Sequence, residues 1–247
     1  MRSEHPLVAI CDDRTRVASP GGIMTDEVFS DLRQHMLAEI AAKTIFACAQ
    51  LGKAALNPLV MSAMAKVPRH EFVPLELRPY AYADSPLPIG FDKTISQPFI
   101  VAVMTDLLDV QPTDTVLEIG TGLGYQSAVL AELAQRVFSI ELIEELAEQA
   151  RRRLARQGHA NVKIKIGNGC RGWPEHAPFD KVIVTAAPAL IPPPLIYQLK
   201  SGGKMVIPAG LPDAQQLILV EKDASGSVST REIFAVQFSL LEDTEPD

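Results

Sequence analysis

The chain reads as an α/β protein with a doubly wound, mostly parallel sheet of seven strands, preceded by a helical subdomain and finished by an antiparallel edge. Three observations predict it. From residue 115 onward, short apolar runs alternate with helical patterns, as parallel strands and their crossovers require. The first of those runs ends in glycines and opens directly into a helix, at Glu118-Ile119-Gly120-Thr121-Gly122-Leu123-Gly124. The last two runs are joined by the turn-rich Asp223-Ala224-Ser225-Gly226-Ser227 with no helix between them, which makes a hairpin.

The elements follow in order. Residues 1–24 have weak periodicity, end in Ser19-Pro20-Gly21-Gly22, and are expected to be a partly disordered extension. Helical patterning starts near Thr25, with Val28, Leu32, Leu37, Ile40 and Ile45 on one stripe, and Gly52 stops it. Asn57-Pro58 has the form of a cap and first helical residue for a second helix carrying Leu59, Val60, Met64 and Val67. Prolines 68, 74, 79, 86 and 88 make residues 68–97 a long loop, and such a loop inside a compact unit is usually functional. Pro98 opens a third helix with Val101, Met104, Leu107 and Leu108 as its apolar face. Strands are then expected at 115–119, 137–141, 162–166, 181–185 and 204–207. Helices are expected at 125–134, 144–157 and 194–199, and the hairpin strands at 216–220 and 233–240. Residues 25–110 thus form the helices and covering loop, and 111–247 the sheet, in one compact unit.

Composition narrows the function. With 47% apolar and 21% charged residues over 247 positions, the chain is too apolar for disorder and long enough for a large core without staples. A net charge of −7 argues against a general binder of nucleic acid or anionic membrane. Cys11, Cys48 and Cys170 are odd in number and lack metal-ligand or redox spacing, as expected in a reducing compartment. No apolar run reaches membrane-spanning length, and the N-terminus lacks the apolar core of a signal peptide. A cytoplasmic monomer is the expectation. The five histidines are scattered and none pairs at metal spacing, so no metal site is assigned.

The glycine turn carries the chemistry. Its spacing is GxGxG, not the GxGxxG of dinucleotide binders, and Glu118 precedes the first glycine by two residues. A pyrophosphate-binding loop has no use for that carboxylate, whereas a ligand with a positive amino group and a sulfonium does. The second strand ends at Glu141, about 20 residues past the first glycine, where a doubly wound sheet places an acid on ribose hydroxyls. Gly167-Asn168-Gly169 ends the third strand and reads equally as an adenine contact or as a plain turn. Ser96 stands before the helix opened by Pro98; a cap is its ordinary role, and no GxSxG elbow surrounds it to suggest a hydrolase.

These residues resemble the protein-L-isoaspartate (D-aspartate) O-methyltransferase family. The resemblance runs from about Thr25 to Leu241. It is carried by Val67-Pro68-Arg69-His70-Glu71-Phe72-Val73-Pro74, by Leu87-Pro88-Ile89-Gly90 with Thr94-Ile95-Ser96-Gln97-Pro98, and by 116–126. Gly172-Trp173, Ala177-Pro178-Phe179-Asp180, Val184-Thr185-Ala186-Ala187, Gly202-Gly203 and Val206-Ile207-Pro208 continue it. The glycine turn is generic to class I S-adenosylmethionine-dependent methyltransferases; the Thr-Ile-Ser-Gln-Pro segment is far more specific. The resemblance implies the class I sheet, S-adenosyl-L-methionine as cofactor, and isoaspartyl-containing peptides and proteins as substrates, methylated on the free carboxylate to start repair through a succinimide. It implies that Glu118, Gly120, Thr121, Gly122 and Gly124 hold the methionine part, that Glu141 takes the ribose, and that Asn168 and Gly169 meet the adenine. Ser96 matches the active-site serine, with Thr94 and Ile95 lining the same groove. Two departures stand out: Asn168 replaces the family's usual aspartate, and Phe238-Ser239-Leu240-Leu241 replaces its usual Val-Pro-Leu. The second touches the substrate side and keeps open a methyltransferase acting on another carboxylate or a small molecule. A nucleoside-binding module without catalysis is a further alternative.

Overall fold

A computed structural model describes residues 24–244; the extension expected at 1–24 lies outside them except for Met24. Helices α1 (Asp26–Phe46), α2 (Cys48–Leu51) and α3 (Pro58–Lys66) come first, and two short 3₁₀ turns lead to a hairpin of β1 (Leu87–Gly90) and β2 (Lys93–Ile95). Next come α4 (Pro98–Leu108), β3 (Thr115–Ile119), α5 (Tyr125–Ala131), β4 (Arg136–Glu141), α6 (Glu144–Arg156), β5 (Val162–Ile166) and β6 (Phe179–Val184). The chain closes with α7 (Pro193–Tyr197), β7 (Leu199–Leu211), β8 (Ala214–Lys222) and β9 (Val228–Val236).

The large sheet has seven strands in the order β5-β4-β3-β6-β7-β8-β9. The pairings from β5 through β7 are parallel, and β7-β8-β9 is an antiparallel edge. Strand order reverses between β3 and β6, and a doubly wound sheet opens a crevice at the carboxyl ends of the strands at that switch point. The central strands are almost wholly buried runs of β-branched and apolar residues, as helices on both faces demand. Helix α6 buries one stripe, Leu146, Ala147, Ala150 and Leu154, and carries glutamates in its first turn and arginines in its last, matching its dipole.

Two expectations change in the N-terminal part. The stripe expected on α1 holds at Ile40, which is buried, and at Leu32 and Leu37, which pack partly buried on the core, but not at its ends: Val28 and Ile45 are 43% and 59% exposed, while Phe29, Met36 and Thr44 are buried. Aromatic packing sets the N-terminal end, because Phe29 stacks on His70 with ring centroids 3.8 Å apart. Thr44 tolerates burial because its hydroxyl donates to the Ile40 carbonyl. The segment 68–97 is not a featureless loop, since its later part forms the β1–β2 hairpin. One apolar cluster joins α1, α3 and α4 to the sheet, from Met36 and Ile40 through Met64 and Met104 to Val116, Ile183 and Val206.

Candidate active site

At the switch point lies a cleft of about 640 Å³, open solvent at its mouth included. Its floor is the turn after β3. Gly120 and Gly122 have φ of +92° and +55°, values that a side chain strains. A Cβ on Gly120 would lie 2.4 Å from the Thr185 hydroxyl, and one on Gly169 would lie 2.3 Å from the Ile119 side chain. Both glycines line the cleft, so their bare backbone is what lets the wall form. Gly124 serves differently. It starts α5 at φ +96° and packs against Ala150 and Leu154 of α6, where a Cβ would sit 3.2–3.4 Å from their side chains.

Two acids stand at this floor. Glu141 is 7% exposed and lines the cleft. Its carboxylate accepts from the Gly122 N–H at 2.8 Å and the Ile143 N–H at 3.1 Å, so it fastens the glycine turn to the end of β4. Burial raises its pKa, against the pull of those N–H groups. Glu118 lies beneath the turn, wholly buried. Its Oε2 accepts from Ser127 and, at 2.6 Å, from Ser139. Since the Ser139 proton is committed there, the Thr121 hydroxyl donates to Ser139 at 2.6 Å. Oε1 of Glu118 has no partner among the described residues. Burial pushes this carboxyl up to about 7, opposed by the two serine hydrogen bonds and reinforced by the Glu141 charge.

The opposite side of the site is the β1–β2 hairpin and the residues that follow it. Ser96 and Gln97 line a second groove with Pro86, Val236 and Phe238. Between groove and cleft lies a smaller cavity of about 380 Å³, bounded by Ser96, Ile95, Thr121 and Tyr125. Thr94 and Thr185 border all three spaces, and the smaller cavity is lined both by Gly120, Thr121 and Gly122 of the glycine turn and by Ser96. The Ser96 hydroxyl does not cap α4: the cap position is Gln97, with no side-chain cap bond of its own. Asp84 does that work, accepting from the Phe99 N–H and from Gln97 Nε2, each at 2.8 Å, and from Lys43. Arg69 grips the same segment from below. Wholly buried, it donates through Nε to the Ala81 carbonyl and through Nη2 to the Ser96 carbonyl, both at 2.7 Å. Its guanidinium lies 4.7 Å from the centre of the Tyr125 ring, a cation–π contact. Burial pushes its pKa down to about 10.

Of the residues singled out from sequence, Thr94, Gly120, Gly122, Glu141 and Gly169 line the cleft, and Ile95, Ser96 and Thr121 the adjoining cavity. Glu118 and Gly124 support the floor from behind. Gly169 rather than Asn168 lines the cleft. The Asn168 side chain accepts from the Cys170 N–H at 2.9 Å and donates to Asp243 at 2.8 Å. Sequence reasoning gave no role to Arg69, Asp84, Lys93, Thr185, Glu242 or Asp243, and it put residues 238–241 on the substrate side, whereas Ser239, Leu240 and Leu241 line the cleft. Thr185 was findable, as the residue after a strand beside the switch point. Arg69 was signalled only by a charge set among prolines and apolar residues. Among the described residues, no group of three His, Cys, Asp or Glu side chains could hold a metal ion, and no helix is long and apolar enough to cross a membrane.

A family model described as Protein-L-isoaspartate(D-aspartate) O-methyltransferase matches residues 43–245. A Polaromonas protein named Protein-L-isoaspartate O-methyltransferase 1 is 80% identical over 226 residues, 92% of this chain and 96% of that protein. A Syntrophobacter fumaroxidans protein named Protein-L-isoaspartate O-methyltransferase 2 is 56% identical over 87% of this chain and 88% of its own length. A solved protein-L-isoaspartate O-methyltransferase superposes with a TM-score of 0.72 at 26% identity, over 84% of this chain and 65% of the solved one. A putative Plasmodium falciparum enzyme of that description, solved with S-adenosyl-L-homocysteine, gives the same TM-score, 0.72, at 22% identity over 86% of this chain and 99% of its own, and shares the fold. The chain belongs to the protein-L-isoaspartate(D-aspartate) O-methyltransferase family.

Proposed function

We propose that this protein transfers a methyl group from S-adenosyl-L-methionine to the free carboxylate of L-isoaspartyl residues in damaged proteins. One observation carries the reading: a single cavity is lined both by Gly120, Thr121 and Gly122 of the glycine turn and by Ser96. Family membership supports the reaction and its substrate class. The cleft's residues fit the cofactor. Glycines leave backbone exposed where a Cβ would collide, an acid stands at the end of β4, and a buried carboxyl with a free oxygen lies under the turn.

When bound, the cofactor supplies a methyl group activated by a sulfonium. Glu141 would hold its ribose, and Gly120, Gly122 and Gly169 would line its contact surface. Glu118 supplies compensating negative charge behind the turn once deprotonated. No general base is required, because a carboxylate nucleophile, with a pKa near 4, is already ionised at neutral pH. The chain's own contribution is placement and exclusion of water. Ser96 donates a hydrogen bond that orients the substrate carboxylate, and Arg69 and Asp84 hold the backbone that presents it. The methyl ester then lets the next backbone nitrogen of the substrate displace methanol and close a succinimide, whose hydrolysis returns some normal aspartate. Cys48 and Cys170 are free thiols, which supports a cytoplasmic location.

The test is labelled methyl transfer to a short isoaspartyl peptide beside its aspartyl twin. Transfer to the isoaspartyl peptide alone is expected. Cofactor binding with no transfer to that peptide would redirect the reading to another carboxylate, in keeping with the unusual residues 238–241.

A further inference from the structure

Residues 239–243 leave β9 and turn back over the carboxyl ends of the parallel strands. Leu240, Leu241 and Glu242 become one wall of the cleft, opposite the hairpin. Their backbone support is slight. The Ala187 N–H donates to the Ser239 carbonyl at 2.8 Å, and the Leu241 N–H donates to the Ala187 carbonyl at 2.9 Å. Those two bonds make a single bridge, and Leu240 remains 49% exposed. Two side-chain ties complete the wall: Lys93 reaches Glu242 across the mouth at 2.6 Å, and Asn168 Nδ2 donates to Asp243 at 2.8 Å.

We propose that Asn168 and Asp243 are positioning residues whose pairing holds residues 239–243 as a wall of the cofactor cleft and slows departure of the bound cofactor. The inference rests on the cofactor reading of that cleft. Asn168 is 6% exposed and its Oδ1 is committed to the Cys170 N–H, so the amide is oriented and its NH₂ faces Asp243. A neutral donor at 168 and a carboxylate at 243 therefore form a matched pair. An aspartate at 168 would set carboxylate against carboxylate, while keeping the acceptor that the Cys170 N–H needs.

Asn168→Asp thus breaks the tie and little else, and adding Asp243→Asn rebuilds it with donor and acceptor exchanged. Two readouts separate the claims: hydrogen exchange of the Leu241 amide in the free protein, and dissociation of S-adenosylhomocysteine followed by stopped flow. Asn168→Asp should speed both on the order of fivefold, as loss of one partly exposed charge-assisted bond implies. Asp243→Asn alone, which leaves a neutral hydrogen bond, should speed them by roughly twofold. The double variant should return to within about twofold of the native rates. Unchanged rates in Asn168→Asp, or a double variant as fast as the single one, would overturn the pairing. If the native protein fails to bind S-adenosylhomocysteine, the cofactor reading falls, along with the proposed retention, while exchange at Leu241 still decides whether the pair holds the wall.

Discussion

The two sides of the cavity between the glycine turn and Ser96 are built in different ways. The glycine side is local: Glu118, Gly120, Gly122 and Glu141 lie within two consecutive strands and the turns that leave them, and parallel pairing of β3 with β4 brings them together. The Ser96 side is assembled from afar. Its backbone is held by Arg69 and Asp84, and Asp84 is in turn paired with Lys43 of α1. One side inherits its shape from the sheet, whereas the other depends on buried polar groups with few alternatives. Damage to the first should therefore appear in cofactor affinity, and damage to the second in turnover and in the stability of the N-terminal helices.

The largest effect is expected at Arg69. Arg69→Met would leave the Ala81 and Ser96 carbonyls without their donor and remove the cation over Tyr125. A loss of about 2–4 kcal/mol is expected, with turnover falling more than tenfold and S-adenosylhomocysteine affinity nearly unchanged. Chemical denaturation and calorimetry on the same preparation check this, and a parallel loss of affinity would erase the distinction between the sides.

Glu118 probes the glycine side through pH. Its folded pKa of about 7 stands above its ordinary 4.5. The fold therefore keeps a proton that the unfolded chain releases. This group's contribution is greatest below about pH 4.5, declines by roughly 3 kcal/mol as pH rises to about 7, and is level above that. Glu118→Gln should remove that decline from denaturation curves measured between pH 5 and 8. An unchanged slope would mean that Glu118 is already ionised in the free protein.

Glu141→Ala should lower cofactor affinity on the order of tenfold, since it removes the acceptors proposed for the ribose and unfastens Gly122. Isothermal titration measures it, and isoaspartyl peptide KM at saturating cofactor should hold within about twofold. A rise in peptide KM larger than the loss of cofactor affinity would place Glu141 on the substrate side.

The same contrast explains what could be read in advance. The seven strands and their antiparallel edge were legible because β-branched runs and turn residues are local signals, as were the glycine turn and Glu141. The N-terminal end of the α1 stripe was not, because Phe29 rather than Val28 turns inward to stack on His70, a pairing that no periodicity displays. The capping of α4 was not legible for a similar reason: Asp84, 15 residues before Phe99, takes the N–H of Phe99. The roles of Arg69, Glu242 and Asp243 depend on tertiary contacts alone. Asn168 looked like a turn or an adenine contact, and its partner Asp243 lies 75 positions away.

The central claim is that Ser96 acts on the substrate while the glycine side holds the cofactor. Ser96→Ala tests it most directly, because the hydroxyl does not cap α4 and its loss should cost less than about 0.5 kcal/mol of stability. The measurement is kcat/KM for an isoaspartyl peptide beside S-adenosylhomocysteine affinity by calorimetry. The account predicts that kcat/KM falls on the order of tenfold or more, with affinity within about twofold of the native protein. Unchanged kcat/KM per folded molecule, or an equal loss of affinity, would contradict it.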